Sequence, residues 1–346
     1  MNSLKSLGYK FPAEWAKHEA TWLTWPYLND SFPGKVDSVY PSYMAFIKQI
    51  ALGEKVRINA PNGSQIAQIK VLLKKHEVFE KNIELFIHPS NDVWCRDHGP
   101  AFLVKPSNPD RKMIISWEFN AWGGKYPSNL DNEIPDKIAQ LFKHKFVKPG
   151  IIMEGGSVDF NGAGTVLTTT ACLLNKNRNP HLTQEQIENY LKKYYCIEQV
   201  LWLGDGIAGD DTNGHVDDIT RFINEDTVVT AVESNKNDEN YIPLKENLET
   251  LKKMRLLNGK QLNIIELPMP NPVYHEGQRL PASYANFYFA NSALIVPTFR
   301  YKNDEVALKI LSEAITDRPV VGIDSVEIVW GFGSFHCLSQ QEPLVD

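Results

Sequence analysis

No stretch of the 346 residues approaches the roughly 18 consecutive apolar positions that a membrane-spanning helix needs. Cysteine is sparse. Cys95, Cys172, Cys196 and Cys337 are scattered, with no Cys-x-x-Cys pair, which excludes zinc-finger spacing. The opening stretch MNSLKSLGYKFPAEW lacks the apolar core of a signal peptide, so reduced thiols and a cytoplasmic location are expected. Metal and nucleotide signatures are missing too. His275-Glu276-Gly277-Gln278-Arg279 has no second histidine for a helical metalloprotease, and Leu167 follows Gly162 and Gly164 where a dinucleotide fingerprint needs glycine. Basic charge is in deficit, with 36 Lys and Arg against 42 Asp and Glu and a net charge of −6. That argues against nucleic acid as the main partner and fits a cationic ligand. Hydrophobic residues at 42% leave a globular chain, long enough for two domains or one large one.

What is present is a recurrence of strand, helix and strand. Lys55–Ala60 reads as a strand, Ser64 as the cap of a helix with apolar Ile66, Ile69, Leu72 and Leu73, and Ile83–His88 as a second strand. The order recurs from Met113 through a helix at Asp136–Lys143 to Gly150–Met153. It recurs from Thr165 through a helix at Thr183–Tyr195, with Thr183 and Gln186 spaced as a capping box, to Gln199–Leu203. A fourth unit runs from Thr227 through Leu244–Leu256 to Leu262–Leu267, and a fifth from Ala293 through Asp304–Ile315 to Val320–Val329. Five such units can stack into a ring or lie in an ordinary open α/β sheet.

The segments after the units carry the reactive residues: Asn91–Pro100, Met153–Ser157, Gly209–Asp218 and Gly331–Pro343, whereas the fourth unit ends blandly in Leu267-Pro268-Met269-Pro270. Asp97, Glu154 and Cys337 follow their unit starts (55, 113 and 294) at nearly equal offsets, which a ring would bring to one centre. On a strand, His215 and Asp217 would share a face, where a carboxylate raises and orients an imidazole. A lone cysteine is more often a small buried hydrophobe. The glycine-rich approach to Cys337 and its polar exit are unlike a core strand. Asp97 beside Arg96 and Glu154 before Gly155 also have bland readings as an ion pair and a turn. Trp94, Trp117 and Trp122 read first as core. Carboxylates around a thiol hinder its ionisation, and make sense when the substrate brings the positive charge. A guanidinium, planar, permanently cationic and forked, fits them.

Trp94-x-Arg96-Asp97-x-Gly99-Pro100, Glu154-Gly155-Gly156-Ser157, Thr212-Asn213-Gly214-His215-Val216-Asp217-Asp218, Pro281-Ala282-Ser283-Tyr284 and His336-Cys337-Leu338-Ser339-Gln340-Gln341-Glu342-Pro343 resemble the motifs of the agmatine deiminases. These belong with the bacterial peptidylarginine-deiminase-like proteins among the guanidine-modifying enzymes. The resemblance runs from about Trp15 to Pro343. It implies an α/β fold, a pseudo-fivefold α/β propeller forming a single catalytic domain over 1–346. It also implies Cys337 as nucleophile, His215 as acid/base, Asp97 and Asp217 as guanidinium ligands, Glu154 as the partner of His215, and Trp94 and Trp122 as aromatic walls. Two departures fall near the substrate tail: Phe332-Gly333-Ser334-Phe335 replaces the family's frequent Gly-Gly-Gly-Ile, and Asp211 stands where glutamate is common.

The implied reaction is hydrolysis of agmatine to N-carbamoylputrescine and ammonia through a Cys337 thiouronium, a step toward putrescine and the polyamines, with no metal and no cofactor. Asp211 or Asp205 would take the far ammonium. Competing readings are a deiminase of free or peptidyl arginine, an amidinotransferase, and a non-catalytic guanidine-binding protein. The motifs supply no surplus basic residue for an arginine carboxylate. A small cationic guanidine is the expected partner, with no nucleic acid and no membrane, and a homodimer is compatible with the sequence.

Overall fold

Parallel strands cannot be joined by a tight turn and need a crossover of a dozen or more residues, usually a helix. That requirement organises the chain. The computed structural model describes residues 3–28, 31–106 and 111–345; the other positions of the expected domain span, 1–2, 29–30, 107–110 and 346, lie outside them. Each recurring unit forms its own small sheet, five in all among the described residues, besides a two-stranded hairpin of Tyr274–His275 and Gln278–Arg279.

In four sheets a parallel pair wraps a crossover helix and a third strand runs antiparallel along its edge. The second sheet pairs Ala101–Val104 with Lys112–Ile115 and Lys145–Val147, crossing by the helix Ile134–Phe142. The third uses Val158–Phe160, Thr165–Thr169 and Gln199–Leu203, the fourth Thr220–Phe222, Thr227–Val232 and Asn263–Pro268, and the fifth Tyr288–Phe289, Leu294–Thr298 and Val320–Asp324. The first sheet has four strands. Ser339–Pro343 lies antiparallel to His18–Thr24, which runs parallel to Lys55–Ala60 and then Ile83–Ile87.

The strands are short and their centres dry, as parallel sheets covered by helices require; Val166, Leu167, Val228 and Val229 are buried. Ile187, Leu191 and Tyr195 form the buried stripe of the helix Gln184–Tyr195. Thr183 and Gln186 exchange the two hydrogen bonds of a capping box, at 3.3 and 2.8 Å. The helix Gly63–Lys75 is capped by Asn62, not Ser64: Asn62 Oδ1 accepts from the Gln65 N–H at 3.0 Å. Gly150–Met153 is not the closing strand of the second unit. Lys145–Val147 takes that place, and Ile152 makes only one bridge, to Glu118. In the fifth unit the strand ends at Asp324, because Ser325 starts a helical turn over Val326–Val329.

The edge strand sets up the function. In each sheet it begins just after a short turn: Cys95–His98, Gly155–Ser157, Val216–Asp218, the segment 283–286 and Phe335–Leu338. A rigid sheet thus holds each turn at its end. No helix among the described residues is long and apolar enough to cross a membrane, and all four cysteines are free.

Candidate active site

The turns bring together side chains that are far apart in sequence. Cys337 lies in the turn Phe335–Leu338, 4% exposed, with Sγ 3.6 Å from Asp217 Oδ2. His215 and Asp217 do not share a strand face. Asp217 sits in the helical turn Val216–Asp218 and His215 just before it. The turn nevertheless places Nδ1 of His215 3.9 Å from Asp217 Oδ1 and 3.7 Å from Asp97 Oδ1. Gly156 lets these groups converge: a Cβ there would lie 2.6 Å from His215 Nδ1, 2.9 Å from Asp97 Oδ1 and 3.0 Å from Asp217 Oδ2.

Asp97 is held on both oxygens. Oδ1 accepts from the Gly156 N–H and Oδ2 from Trp122 Nε1, each at 2.9 Å. Trp122 is aimed by a strained turn in which Ala121 and Trp122 have φ of 49° and 55°. Left-handed backbone costs a non-glycine residue on the order of 1 kcal/mol or more and persists where surroundings enforce it. Here Asn120 enforces it, accepting from the Gly123 N–H at 2.9 Å and donating to the Asn177 carbonyl at 2.8 Å.

Glu154 reaches the site but is not hydrogen-bonded to His215. Arg178 Nε donates to Glu154 Oε1 at 2.5 Å, with both side chains fully buried, and Cys172 Sγ lies 4.0 Å from Oε2. The guanidinium of Arg178 is the stronger partner for a buried carboxylate, so the Glu154–imidazole pairing expected from the sequence is absent. Neither ring nitrogen of His215, nor Asp217 Oδ1, has a hydrogen-bond partner. Unsatisfied polar atoms in a dry interior are costly; three at one point mark a place built for another molecule.

Electrostatics separate the acids. Burial, with Asp217 and Glu154 close by, pushes Asp97 well above the carboxylate range, and burial beside Asp217 and Asp210 does the same to Asp218. Burial also raises Glu154, against the pull of Arg178. Burial opposes ionisation of Asp217 as well, but the hydrogen bond and charge of His336 outweigh it and hold the group low. Burial depresses His215 to about 3, so its imidazole is neutral, and burial together with Asp217, Asp218 and Asp97 keeps the Cys337 thiol protonated.

A cleft of about 510 Å³ opens onto Cys337 and Asp97, and Trp94, Trp122 and Asp211 line it as well. Trp94 is both core and wall, since its ring packs where a Cβ on Gly331 or Gly333 would stand. Asp211 is not free: Lys125 Nζ binds its Oδ1 at 2.7 Å and its carbonyl, and the Tyr126 hydroxyl donates to Oδ2 at 2.9 Å. Lys125 is thus a basic group bound to a residue of the cleft wall that the motifs did not reveal. Asp205 is exposed and does not line the cleft. Two buried triads have donor atoms close enough to hold a metal ion, Glu154–Cys172–His215 and Asp217–Asp218–Cys337. Both draw on the groups just described, and an ion on the second would occupy the Cys337 sulfur.

Sequence reasoning missed Asn286. Its Oδ1 accepts from the backbone N–H of His336 at 3.1 Å and of Cys337 at 3.3 Å, which fixes the amide orientation. Nδ2 then donates to Cys337 Sγ at 3.1 Å and to Asp218 Oδ1 at 2.9 Å. The signal existed: the fifth sheet also needs a turn before its edge strand Tyr288–Phe289, and Asn286 lies two residues beyond the motif ending at Tyr284. Arg178, in a loop with no periodicity, left no such signal.

The model of the Porphyromonas-type peptidyl-arginine deiminase family matches residues 10–343. The agmatine deiminase of Pseudomonas syringae pathovar tomato is 34% identical, with 97% of this chain and 96% of that protein covered. A substrate-bound cysteine-to-serine agmatine deiminase of C. jejuni is 37% identical and superposes with a TM-score of 0.87 over 96% of each chain. An agmatine deiminase of Enterococcus faecalis is 31% identical, with a TM-score of 0.91 over 99% of this chain and 98% of that one. With its site assembled on the same mixed α/β framework as these relatives, the chain belongs to the Porphyromonas-type peptidyl-arginine deiminase family.

Proposed function

We infer that the chain is an agmatine deiminase, a hydrolase acting on the guanidino C–N bond. One observation carries this reading. A buried thiol lies against a carboxylate that faces a neutral imidazole, and the imidazole nitrogens and one carboxylate oxygen have unfilled hydrogen-bonding capacity, among acids that only a cation would suit. Asp217 Oδ1 takes one side of the guanidinium and the remaining lone pairs of Asp97 another, holding the plane in register for attack.

The arriving positive charge offsets the acids that keep the thiol protonated, and His215, neutral before binding, accepts the Cys337 proton. Sγ attacks the guanidinium carbon, and His215 returns that proton to the departing nitrogen, so ammonia leaves and a thiouronium stays bonded to sulfur. His215 next takes a proton from water, whose oxygen bonds to the same carbon. Breaking the C–S bond as the hydroxyl proton passes to sulfur restores the thiol and frees a neutral ureido product, which the carboxylates no longer hold, and His215 gives its proton to the released ammonia, which departs as ammonium. Asn286 Nδ2 steadies the sulfur while it carries charge, and Glu154 shapes the field around His215 through Arg178. Side chains and water supply every group in this sequence, so neither metal nor cofactor is required.

Agmatine is the substrate. The cleft has room for its four-carbon tail, and Asp211, despite Lys125 and Tyr126, retains lone pairs for the terminal ammonium. An arginine carboxylate would meet Lys125, but Asp211 already neutralises that charge. The five sheet units, each presenting a turn to one site, support a pseudo-fivefold propeller forming a single domain. The free thiols support a cytoplasmic setting. The test is ammonia release from agmatine, free arginine and a blocked arginine peptide side by side. Agmatine is expected to react fastest, and Cys337→Ala to bind it without turnover; a faster peptide reaction overturns the substrate assignment.

A further inference from the structure

The imidazole immediately before the nucleophile has no part in the steps above. His336 is buried, with Nδ1 2.6 Å from Asp217 Oδ2 and Nε2 2.7 Å from Glu14 Oε2. Ionised carboxylates only accept, and a ring nitrogen donates only when protonated. Two carboxylate partners therefore require two ring protons and a positive charge.

The surroundings decide where the protons sit. Glu14 also faces Arg96 at 3.2 Å and Arg221 at 3.0 Å and accepts from the Phe289 N–H at 2.9 Å, so it is firmly ionised. Burial opposes that charge, but Arg221, His336 and Arg96 together hold Glu14 well below the carboxylate range. Arg221 is itself engaged by Asp159 at 2.7 Å. The backbone of His336 is pinned as well, its N–H by Asn286 and its carbonyl by Arg96 Nε at 3.3 Å. On its other side Asp217 faces His215 and Cys337, with Asp97 and Asp218 close enough to oppose its charge. Among these three aspartates, only Asp217 hydrogen-bonds a cationic side chain among the described residues.

We propose that His336 is a positioning residue: an imidazolium fixed between Glu14 and Asp217 that keeps Asp217 ionised and turns its free Oδ1 toward the incoming guanidinium. The proposal rests on the guanidine-hydrolysing reading of the site. Without the imidazolium, Asp217 shares the fate of Asp97 and Asp218, whose burial favours the protonated form. The pocket then carries too little negative charge at neutral pH to receive its substrate.

The test is the pH profile of kcat/KM for ammonia release from agmatine in wild type, His336→Asn and His336→Gln. Asn keeps an amide N–H toward Asp217 without the charge, and Gln keeps one toward Glu14 only. The acid limb of both variants is expected to move up by one unit or more, about a tenfold loss per unit at the foot of the limb. Activity should recover to within a few-fold of wild type on the alkaline side, and at neutral pH KM should rise more than kcat falls. An unshifted limb, or an equal loss at every pH in a protein with a native melting temperature, overturns the proposal. Should neither variant fold, ¹⁵N spectra of histidine-labelled wild type decide. The ring of His336 is expected to carry protons on both nitrogens at neutral pH, as its two carboxylate partners require. A neutral His336 ring overturns the proposal. Wild type that releases no ammonia from agmatine counts against the parent reading instead, and the spectra still decide the state of His336.

Discussion

At the residue scale, the site depends on the absence of a side chain as much as on the groups present. Gly156 leaves the space that His215, Asp97 and Asp217 share. Gly156→Ala puts a methyl carbon inside normal contact distance of all three. Displacing reacting groups by about 1 Å can cost on the order of 100-fold in rate, so kcat/KM should fall at least that far while the melting temperature changes little. Arg178 is a different case. Arg178→Met strands Glu154 in a dry site, and removing one partner of a buried ion pair costs about 3–5 kcal/mol. Chemical denaturation should show that loss, with ammonia release falling alongside it. Asp97→Asn separates stability from function. The raised pKa of Asp97 means folding retains a proton that the unfolded chain has lost above about pH 4, so the contribution of this group to stability falls as pH rises. The amide should abolish turnover yet raise the melting temperature at pH 8 by about 2 °C or more, with no gain near pH 4; an unchanged melting temperature at pH 8 would show that Asp97 is ionised in the empty site.

At the scale of elements, local signals served where they decide structure locally. The capping box of Thr183 and Gln186 formed as spaced, and Thr183→Ala should cost about 1 kcal/mol, read as a lowered urea midpoint with unchanged activity. The strand–helix–strand units were legible because their period follows from hydrogen-bond geometry, and Asp97, His215, Asp217 and Cys337 were legible because polar, glycine-rich turns interrupt apolar strands. Other features were settled by long-range competition. Ser64 was outbid by Asn62 two residues earlier, and Lys145–Val147, though partly exposed, won the pairing that apolar Gly150–Met153 was expected to make. Glu154 was read as a site acid that partners His215, but its hydrogen-bond partner is Arg178, whose neighbours in sequence say nothing of the contact. Asn286 fell outside because the residues flanking it, Ala285 and Phe287, are buried and apolar and mark it as core.

At the scale of the molecule, Glu342 ties three strands of two sheets together. It binds Arg57, accepts from Lys112 at 2.7 Å and from Trp22 Nε1 at 2.8 Å, and is held well below the carboxylate range by these cations and His144 against its burial. Its lowered pKa contributes stability above the unfolded value near 4.3 and loses it as pH falls. His215, neutral in the fold down to about 3, adds a loss of the same sign once the unfolded chain takes up its proton below about pH 6.5. These two groups lose stability on acidification, against the opposite contribution of Asp97 and the other buried acids held above the carboxylate range, and melting curves of wild type and Glu342→Gln from pH 7 to 4 will isolate the Glu342 share. Glu342→Gln should flatten the part below pH 5 at the cost of a lower plateau.

The pairing of Ser339–Pro343 with His18–Thr24 also governs when this protein can work. A ribosome builds the chain from the His18 side, so that strand emerges early and waits with one flank bare until more than three hundred further residues have been made. Cys337 immediately precedes its late companion. Competence should thus appear abruptly once Ser339–Pro343 has been made, and during the wait the exposed flank is where a chaperone would be needed.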